Sequence, residues 1–223
     1  MTASAVLFDI DGTLVDSNFL HVEAWSHAFQ KLGLAVPSWR VQQAIGADSA
    51  ELLELLIGDE SDATKDRAGE LNSDYYRALQ SRIEVFDGAR ELVADLAGRG
   101  LRVVLATSAP KEELRALLEE LDVDDHLYAT TSAEDVEKAK PEPEIISLAL
   151  AKGKVTAYHA VMIGDSVWDI KAATRAGVAS IGLLSGGTSA EALLGEGAIA
   201  VFDDVAVLAQ HLDDAAVARF FTV

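Results

Sequence analysis

The sequence AVLFDIDGTL at residues 5–14 decides the fold. Its first four residues form an uninterrupted apolar run, which is typical of a strand buried on both faces of a parallel sheet. Asp9 and Asp11 follow this run, so both carboxylates are predicted at the carboxyl end of the strand, where open α/β sheets bind ligands. Gly12 allows the chain to turn sharply away. An acidic turn that caps a helix is the competing interpretation, and the apolar strand before it favours a ligand site.

The chain after residue 88 alternates short apolar runs with helix-type segments. The runs are continuous rather than alternating, which again indicates burial on both faces. We therefore predict a doubly wound α/β core, in which helices cover both faces of a parallel, Rossmann-like sheet. The predicted strands are 103–106, 127–130, 160–163, 179–183 and 198–202, and the predicted helices are 111–121, 145–151, 168–176 and 205–211.

Residues 18–84 carry no strand signal and have the pattern of helices. Val22, Trp25 and Phe29, for example, recur at the spacing of one helical face. An all-helical insert directly after the first strand is joined to the core at two points, which suits a lid that rocks. We predict a core formed by residues 1–16 and 88–223, with a helical cap at residues 17–87.

Charge and composition exclude several classes of partner. The 223 residues carry 18 Lys and Arg against 37 Asp and Glu, a formal net charge of −19. A surface of that sign repels nucleic acid and anionic membrane, so neither is an expected partner. Cysteine is absent, which excludes disulfides and leaves oxygen atoms or the five histidines to hold any metal.

The location of the protein is also suggested by the sequence. No apolar run is long enough to span a bilayer, and the first residues lead into a strand rather than a signal peptide. We therefore expect a cytoplasmic protein. The sequence does not determine its oligomeric state.

Three further polar signals lie at the junctions of predicted elements. Thr107 and Ser108 end one strand, where hydroxyls and backbone N–H groups form an anion site. Lys140 precedes a proline that fixes the entry into the next helix. Asp165 ends another strand, and Asp169 follows one helical turn later. Each signal alone also has an ordinary interpretation, as a helix cap or a solvated surface residue.

Together, these signals predict four carboxylates at one edge of one sheet, namely Asp9, Asp11, Asp165 and Asp169. Two like charges in close contact repel by roughly 4 kcal/mol near a protein surface, so the cluster requires counter-charge. Oxygen ligands with little imidazole suit Mg²⁺, which keeps bound waters and binds phosphate. Lys140 supplies further positive charge. The sequence therefore predicts a site for Mg²⁺ and a phosphoryl group.

In this order, the four signals resemble the motifs of the haloacid dehalogenase-like superfamily, and they extend over residues 6–183. The helical segment is similar to the superfamily's α-helical cap, and the closest resemblance is to the phosphoglycolate phosphatase and β-phosphoglucomutase branch. The resemblance implies a phosphatase that hydrolyses a small phosphomonoester through an aspartyl-phosphate, with Mg²⁺ as cofactor. Phosphoglycolate or a sugar phosphate is the expected substrate.

The resemblance also implies a role for each site residue. Asp9 would be the nucleophile that becomes phosphorylated, and it would bind Mg²⁺. Asp11 would act as general acid and then as general base, and its backbone carbonyl would reach the metal. Lys140 would pair with Asp9 and the phosphoryl group. The remaining assignments are Thr107, Ser108, Gly12 and His21 for the substrate and its phosphate, and Asp165 and Asp169 for the metal.

Other details bear on the reaction type. Asp11 favours a phosphomonoester, because the superfamily's dehalogenases and phosphonate-cleaving members lack a second aspartate there. His21 resembles a histidine of the β-phosphoglucomutase cap, and it also fits a partly exposed helix face. The mutase has a cap arginine that binds the second phosphate, and it would fall near Ser49, where this chain has no arginine. Arg77 matches a second basic position of the mutase cap only loosely. A mutase must bind two phosphates, so hydrolysis is favoured. A phosphosugar mutase and a catalytically silent binding protein are the alternatives.

Overall fold

The computed structural model describes residues 4–138 and 140–222. Its strands are β1 (Ala5–Phe8), β2 (Val15–Asp16), β3 (Glu84–Val85), β4 (Arg102–Leu105), β5 (Leu127–Thr130), β6 (Ala160–Gly164), β7 (Ala179–Leu183) and β8 (Ala200–Phe202). Six of these form a parallel sheet in the order β5-β4-β1-β6-β7-β8. The predicted doubly wound α/β core is confirmed.

The helices of the described chain are α1 (Asn18–Lys31), α2 (Ser38–Ala44), α3 (Ser49–Ile57), α4 (Asp62–Leu79), α5 (Ala89–Gly98), α6 (Lys111–Leu121), α7 (Glu144–Gly153), α8 (Val167–Arg175), α9 (Ala190–Gly195) and α10 (Val205–Gln210). Helices α5 and α9 are not among the predicted helices. A signal for α5 was present, because Ala89, Leu92, Val93 and Leu96 recur at helical spacing and are buried. None of the described helices is both long and apolar enough to cross a bilayer.

Strand β1 lies between the two apolar cores of the sheet. Its side chains alternate between the faces, as in any strand. Val6 and Phe8 enter the larger core, beneath α5, α6 and α10. Ala5 and Leu7 enter the other core, which α7 and α8 cover. β1 is therefore the central strand, and the residues that follow it lie deep within the molecule.

Helices α1 to α4 pack together around an apolar core of their own. Its members are Trp25, Phe29, Val41, Ala44, Ile45, Leu52, Leu53, Leu56, Ile57 and Ala68. α1 packs along α4, and α2 and α3 close the other side. This helical block stands where the sequence analysis predicts a cap, and the boundaries at residues 17 and 87 and the motion of the block stay predictions.

A short antiparallel pair joins the helical block to the sheet. Val15 of β2 pairs with Val85 of β3, and Asp16 pairs with Glu84. Strands of two residues are too short to produce a periodic signal, so the sequence analysis misses them. The pair holds the two chain connections side by side, a few residues after the end of β1.

Candidate active site

The carboxyl ends of three neighbouring strands meet at one edge of the sheet. β1 lies between β4 and β6, with Phe8 opposite both Leu105 and Ile163. Residues just beyond parallel strands in register are neighbours in space. Those residues are Asp9 after β1, Thr107 after β4 and Asp165 after β6.

Three buried carboxylates form the centre of the site. Asp9, Asp165 and Asp169 are 5%, 2% and 0% exposed, and they offer oxygen atoms that lie within 4.8 Å of one another. Burial raises the pKa of Asp9 to about 7, against the lowering effect of Lys140 and with a contribution from Asp169 and Asp11. Burial, and then the charges of Asp169 and Asp9, raise the pKa of Asp165. The structure thus brings three of the predicted metal-binding residues together.

Two polar side chains hold Asp165 in place. Thr13 Oγ1 donates to Asp165 Oδ1 at 2.9 Å, and Asn18 Nδ2 donates to Asp165 Oδ2 at 2.7 Å. A Cβ on Gly186 would collide with the Asp165 carboxylate, so only glycine allows this close approach. Neither Thr13 nor Asn18 is among the predicted site residues. Thr13 lies within residues 5–14, so a contact with the carboxylate cluster could have been predicted for it. No pattern in the sequence marks Asn18.

Gly12 has a structural role in the turn. Its φ is +71°, and a Cβ there would collide with Asn18 and come within 2.6 Å of Asp165 Oδ2. Its N–H donates to the carbonyl of Val15 at 2.8 Å, and its carbonyl accepts from Ser185 Oγ at 2.6 Å. The backbone donor is thus already used. Gly12 therefore shapes the turn, and its assignment to phosphate binding stays a prediction.

Lys140 supplies the positive charge of the cluster. It is 1% exposed, and its Nζ lies 2.6 Å from Asp9 Oδ1 and 2.6 Å from Asp169 Oδ1. Burial by itself lowers the pKa of this ammonium, but Asp169 and Asp9 outweigh that effect and raise it. Lys140 therefore stays charged. Ala139, which belongs to the predicted segment around Lys140, lies outside the described residues.

Asp169 serves the helix and the site at once. Ser166 N and Oγ donate to Asp169 Oδ2 at 3.1 and 2.6 Å, and Asp169 N donates to Ser166 Oγ at 3.3 Å, which forms a capping box at the start of α8. The other carboxylate oxygen faces Lys140. The helix-cap interpretation of Asp169 is therefore confirmed, and its role at a metal site stays a prediction.

Asp11 lies beside a histidine from the helical block. Its Oδ1 accepts from Ser17 Oγ at 2.5 Å and lies 3.4 Å from His21 Nε2, and the His21 ring stacks on Tyr76 with ring centroids 3.9 Å apart. Burial by itself raises the pKa of Asp11, but His21 and Ser17 outweigh it and lower the pKa. Burial also disfavours charged His21, yet Asp11 reverses this effect and raises its pKa. The structure places His21 at the site rather than on a solvent face.

Thr107 and Ser108 line the same cavity as Asp9 and Lys140. Thr107 Oγ1 accepts from Ala109 N at 3.0 Å, and Ser108 Oγ is buried with no hydrogen-bond partner among the described residues. Helix α6 takes Pro110 as its N-cap, so the alternative role of Thr107 and Ser108 as helix caps is wrong. A buried hydroxyl without a hydrogen-bond partner destabilises the folded protein. An oxygen atom of a ligand would accept its hydrogen bond.

A cavity of about 270 Å³ opens above these groups, between the sheet edge and the helical block. Its lining includes Asp9, Asp11, Thr107, Ser108, Lys140 and Glu113 from the core, and His21, Trp25, Asp48, Leu52 and Asn72 from the block. Arg77 is exposed at the surface, where it contacts Asp74 and Glu112. The loosely matched basic position therefore does not belong to this cavity.

Comparison with known proteins gives the chain a family. The family model described as haloacid dehalogenase-like hydrolase matches residues 6–183. The chain belongs to the haloacid dehalogenase-like hydrolase family. A phosphoglycolate phosphatase from Rhodospirillum rubrum is 32% identical over 93% of this chain and 90% of the relative. A phosphorylated carbohydrates phosphatase from Thermotoga maritima is 27% identical over 88% of this chain and 93% of the relative.

The fold of this haloacid dehalogenase-like hydrolase also matches solved structures. A hydrolase from Pseudomonas syringae superimposes with a TM-score of 0.90 and 31% identity, covering 95% of this chain and 99% of that chain. The family and the names of its relatives support a phosphatase.

The donor set of this haloacid dehalogenase-like hydrolase fits a hard divalent cation. Asp9 and Asp165 offer only oxygen atoms, which is the ligand type that Mg²⁺ prefers. Their raised pKa values are a second observation, because a cation bound between them would stabilise both as carboxylates. Asp169 Oδ2 already accepts two hydrogen bonds from Ser166. Together, Asp9, Asp165 and Asp169 form a buried set of oxygen donors of the kind that suits such an ion.

Proposed function

We propose that this hydrolase is a Mg²⁺-dependent phosphatase that cleaves a small phosphomonoester through an aspartyl-phosphate on Asp9. One observation carries the proposal. Asp9 lies in the cavity wall with Lys140 Nζ 2.6 Å from Oδ1, so its second oxygen serves as the nucleophile. Asp11 and the unpartnered hydroxyl of Ser108 line the same cavity. A nucleophile, an acid–base group and an anion site therefore share one small space.

In the first step, the Asp9 carboxylate attacks phosphorus in line with the leaving oxygen, and the bond from phosphorus to that oxygen breaks. Asp11 donates a proton to the leaving oxygen, so the alcohol departs neutral. Lys140 and Ser108 stabilise the charge on the oxygens of the transferred group.

In the second step, Asp11 acts as the base. It takes a proton from a water molecule as that water attacks the phosphorus of the aspartyl-phosphate. The bond from phosphorus to Asp9 breaks, which releases inorganic phosphate and restores the carboxylate.

Mg²⁺ would be held by Asp9, Asp165 and the backbone carbonyl of Asp11, and it supplies positive charge to the phosphoryl oxygens. Thr13 and Asn18 fix the orientation of Asp165. In this proposal Asp169 orients Lys140 rather than the ion.

The helical block at residues 17–87 is proposed to act as a cap that excludes solvent water and sets specificity. Among the described residues, four hydrogen bonds join it to the core away from the β2–β3 pair: Asp48 N to Lys140 O at 3.3 Å, Gln42 Nε2 to Gly186 O at 3.4 Å, Trp168 Nε1 to Gln43 O at 3.3 Å, and Arg77 Nη2 to Glu112 Oε2 at 3.5 Å. These contacts are few and long, which suits a cover that opens to exchange substrate and product. The β2–β3 pair would be the hinge.

The partners and location follow from charge and composition. A net charge of −19 disfavours nucleic acid and anionic membrane, and a chain without cysteine has no need of an oxidising compartment. We propose that the protein acts in the cytoplasm on a small phosphorylated metabolite.

The mutase alternative is less well supported than hydrolysis. A mutase must hold a second phosphate at the far end of the cavity. Among the described residues that line the cavity, the basic ones are Lys140 and His21, and both are paired with carboxylates. Position 49, where the mutase resemblance places an arginine, is a serine.

The proposed function predicts Mg²⁺-dependent release of inorganic phosphate from small phosphomonoesters. The assay would use phosphoglycolate, hexose and pentose phosphates, β-glucose 1-phosphate and an aryl phosphate, each with Mg²⁺ and with a chelator. We expect release with Mg²⁺ and none with the chelator. Formation of glucose 6-phosphate without release of phosphate would support the mutase. If the folded protein binds Mg²⁺ but turns over no substrate, the silent binding protein is the correct alternative.

Mg²⁺ is predicted to stabilise the folded protein. At a concentration about 100 times its Kd, binding adds about 2.7 kcal/mol to the free energy of unfolding. For a chain of this size, that raises Tm by about 5–10 °C. Asp165→Asn should abolish this increase because it removes a ligand charge, whereas Asp203→Asn, at an exposed position, should preserve it. An equal increase in Asp165→Asn, measured by thermal unfolding, would contradict the proposed metal site.

A further inference from the structure

The part of the cavity that faces the leaving group is poor in free positive charge. The basic residues that line the cavity, among those described, are Lys140 and His21. Lys140 is held by two aspartates, and His21 by Asp11. The other charged lining residues are acidic, and they include Glu113 from the first turn of α6 and Asp48 at the start of α3. A leaving group that carries a carboxylate or a second phosphate would therefore meet like charge without a free cation.

Glu113 strengthens this conclusion. Its carboxyl group is partly buried at the cavity wall, near the His21–Asp11 pair. Burial raises the pKa of Glu113, and repulsion from Asp11 raises it further, although His21 lowers it. Another anion placed beside Glu113 would add to that repulsion. A hydroxyl group, in contrast, is uncharged and can donate a hydrogen bond to this carboxyl group without electrostatic repulsion.

Asn72 provides a second, independent observation on the opposite wall. This residue of α4 is 7% exposed, lines the cavity, and has an Oδ1 atom without a hydrogen-bond partner among the described residues. An amide oxygen that is buried and unpaired destabilises the protein until a donor reaches it. An amide binds neutral hydroxyl groups through both its oxygen and its NH₂ group.

The remaining wall is apolar. Trp25, Ile45 and Leu52 line the cavity, and they are 3%, 9% and 2% exposed. An indole ring and two aliphatic side chains suit the C–H face of a small carbon skeleton. Apolar packing on one side and neutral or acidic hydrogen-bonding groups on the others match the chemistry of a sugar or polyol.

We propose that Asn72 and Glu113 make this enzyme select phosphomonoesters with an uncharged, polyhydroxylated leaving group, of the sugar or polyol monophosphate class, over those that carry a carboxylate or a second phosphate. The proposal rests on the proposed phosphatase function. Asn72 binds a hydroxyl of the leaving group, and Glu113 accepts from another hydroxyl while it repels anions.

The first test compares kcat/KM for four kinds of substrate in the native protein with Mg²⁺: hexose and pentose monophosphates, phosphoglycolate, a hexose bisphosphate and an aryl phosphate. We expect kcat/KM for the best sugar monophosphate to exceed the values for phosphoglycolate and the bisphosphate by at least about tenfold. One mismatched polar or charged contact in a buried site has an effect of this size. Preference for phosphoglycolate or the bisphosphate would overturn the proposal. Loss of all turnover, aryl phosphate included, would instead overturn the phosphatase function itself.

The second test uses variants and takes the aryl phosphate as the internal reference. Asn72→Ala should lower the ratio of sugar to aryl phosphate kcat/KM by about tenfold, since one hydrogen bond to the substrate is lost. Glu113→Gln should raise the ratio of phosphoglycolate to aryl phosphate by about tenfold, since one negative charge is removed. Glu112→Gln is the matched control, because Glu112 is the neighbouring carboxylate, is exposed and does not line the cavity.

Either of two results would overturn the assignment of these residues. One is that Asn72→Ala changes the sugar and aryl phosphate values by the same factor, which would indicate a structural role. The other is that Glu113→Gln and Glu112→Gln leave the phosphoglycolate ratio equally unchanged. If Asn72→Ala does not fold, Asn72→Ser serves in its place, because its hydroxyl keeps a polar group at the position.

Discussion

Replacing Asp9 with Asn is expected to lower the rate of phosphate release by at least about 10⁴-fold, as for other enzymes that lose their nucleophile. An amide cannot attack phosphorus in place of the carboxylate, and it also removes one charge from the proposed Mg²⁺ site. The fold should survive, because Lys140 keeps its contact with Asp169 at 2.6 Å. Phosphate release from several substrates, together with the circular dichroism spectrum of the variant, would measure both effects.

A comparison with Asp11→Asn separates the role of nucleophile from that of acid and base. An aryl leaving group needs little help from a proton donor, whereas a sugar hydroxyl needs it. Asp11→Asn should therefore release about one equivalent of the aryl alcohol in a burst and then stall at the aspartyl-phosphate, because no base activates water. Asp9→Asn should show no burst. A burst from Asp9→Asn would show that another residue is the nucleophile.

Replacing Lys140 with Met is expected to have the largest effect on stability. Lys140 is 1% exposed, and its ammonium lies 2.6 Å from both Asp9 and Asp169. Removing one partner of a buried ion pair leaves uncompensated charge and costs about 3–5 kcal/mol. Methionine keeps the length and apolar stem of lysine, so the loss reports the charge rather than a cavity. Urea unfolding with and without Mg²⁺ would measure the effect, and the activity of the variant should be lost as well.

Lys138→Met is the matched control for that measurement. Lys138 lies two residues earlier on the same segment and is exposed. Its replacement should change the free energy of unfolding by less than about 0.5 kcal/mol. If Lys140→Met unfolds at the same urea concentration as Lys138→Met, the buried ion pair does not stabilise the fold as the geometry indicates.

The sequence by itself determined the sheet and the positions of the principal carboxylates. Continuous apolar runs mark strands that are buried on both faces, and every predicted strand is present in the parallel sheet. In such a sheet, all strands end at the same edge, so polar residues that follow neighbouring strands must be close in space. This is why the proximity of Asp9 and Asp165, which lie more than 150 positions apart, was open to prediction.

Tertiary structure alone decided which side chains complete the site. Asn18 holds Asp165, and His21 stacks on Tyr76 beside Asp11. Asn72 lines the cavity, and its Oδ1 atom has no hydrogen-bond partner among the described residues. These contacts depend on how the helical block is set over the sheet, and local periodicity carries no information about that placement. The hydrogen bond from Gly12 N to the carbonyl of Val15 within the turn became visible in the same way. A sequence pattern reports burial along one element, whereas hydrogen bonds between elements depend on distances that only the packed chain defines.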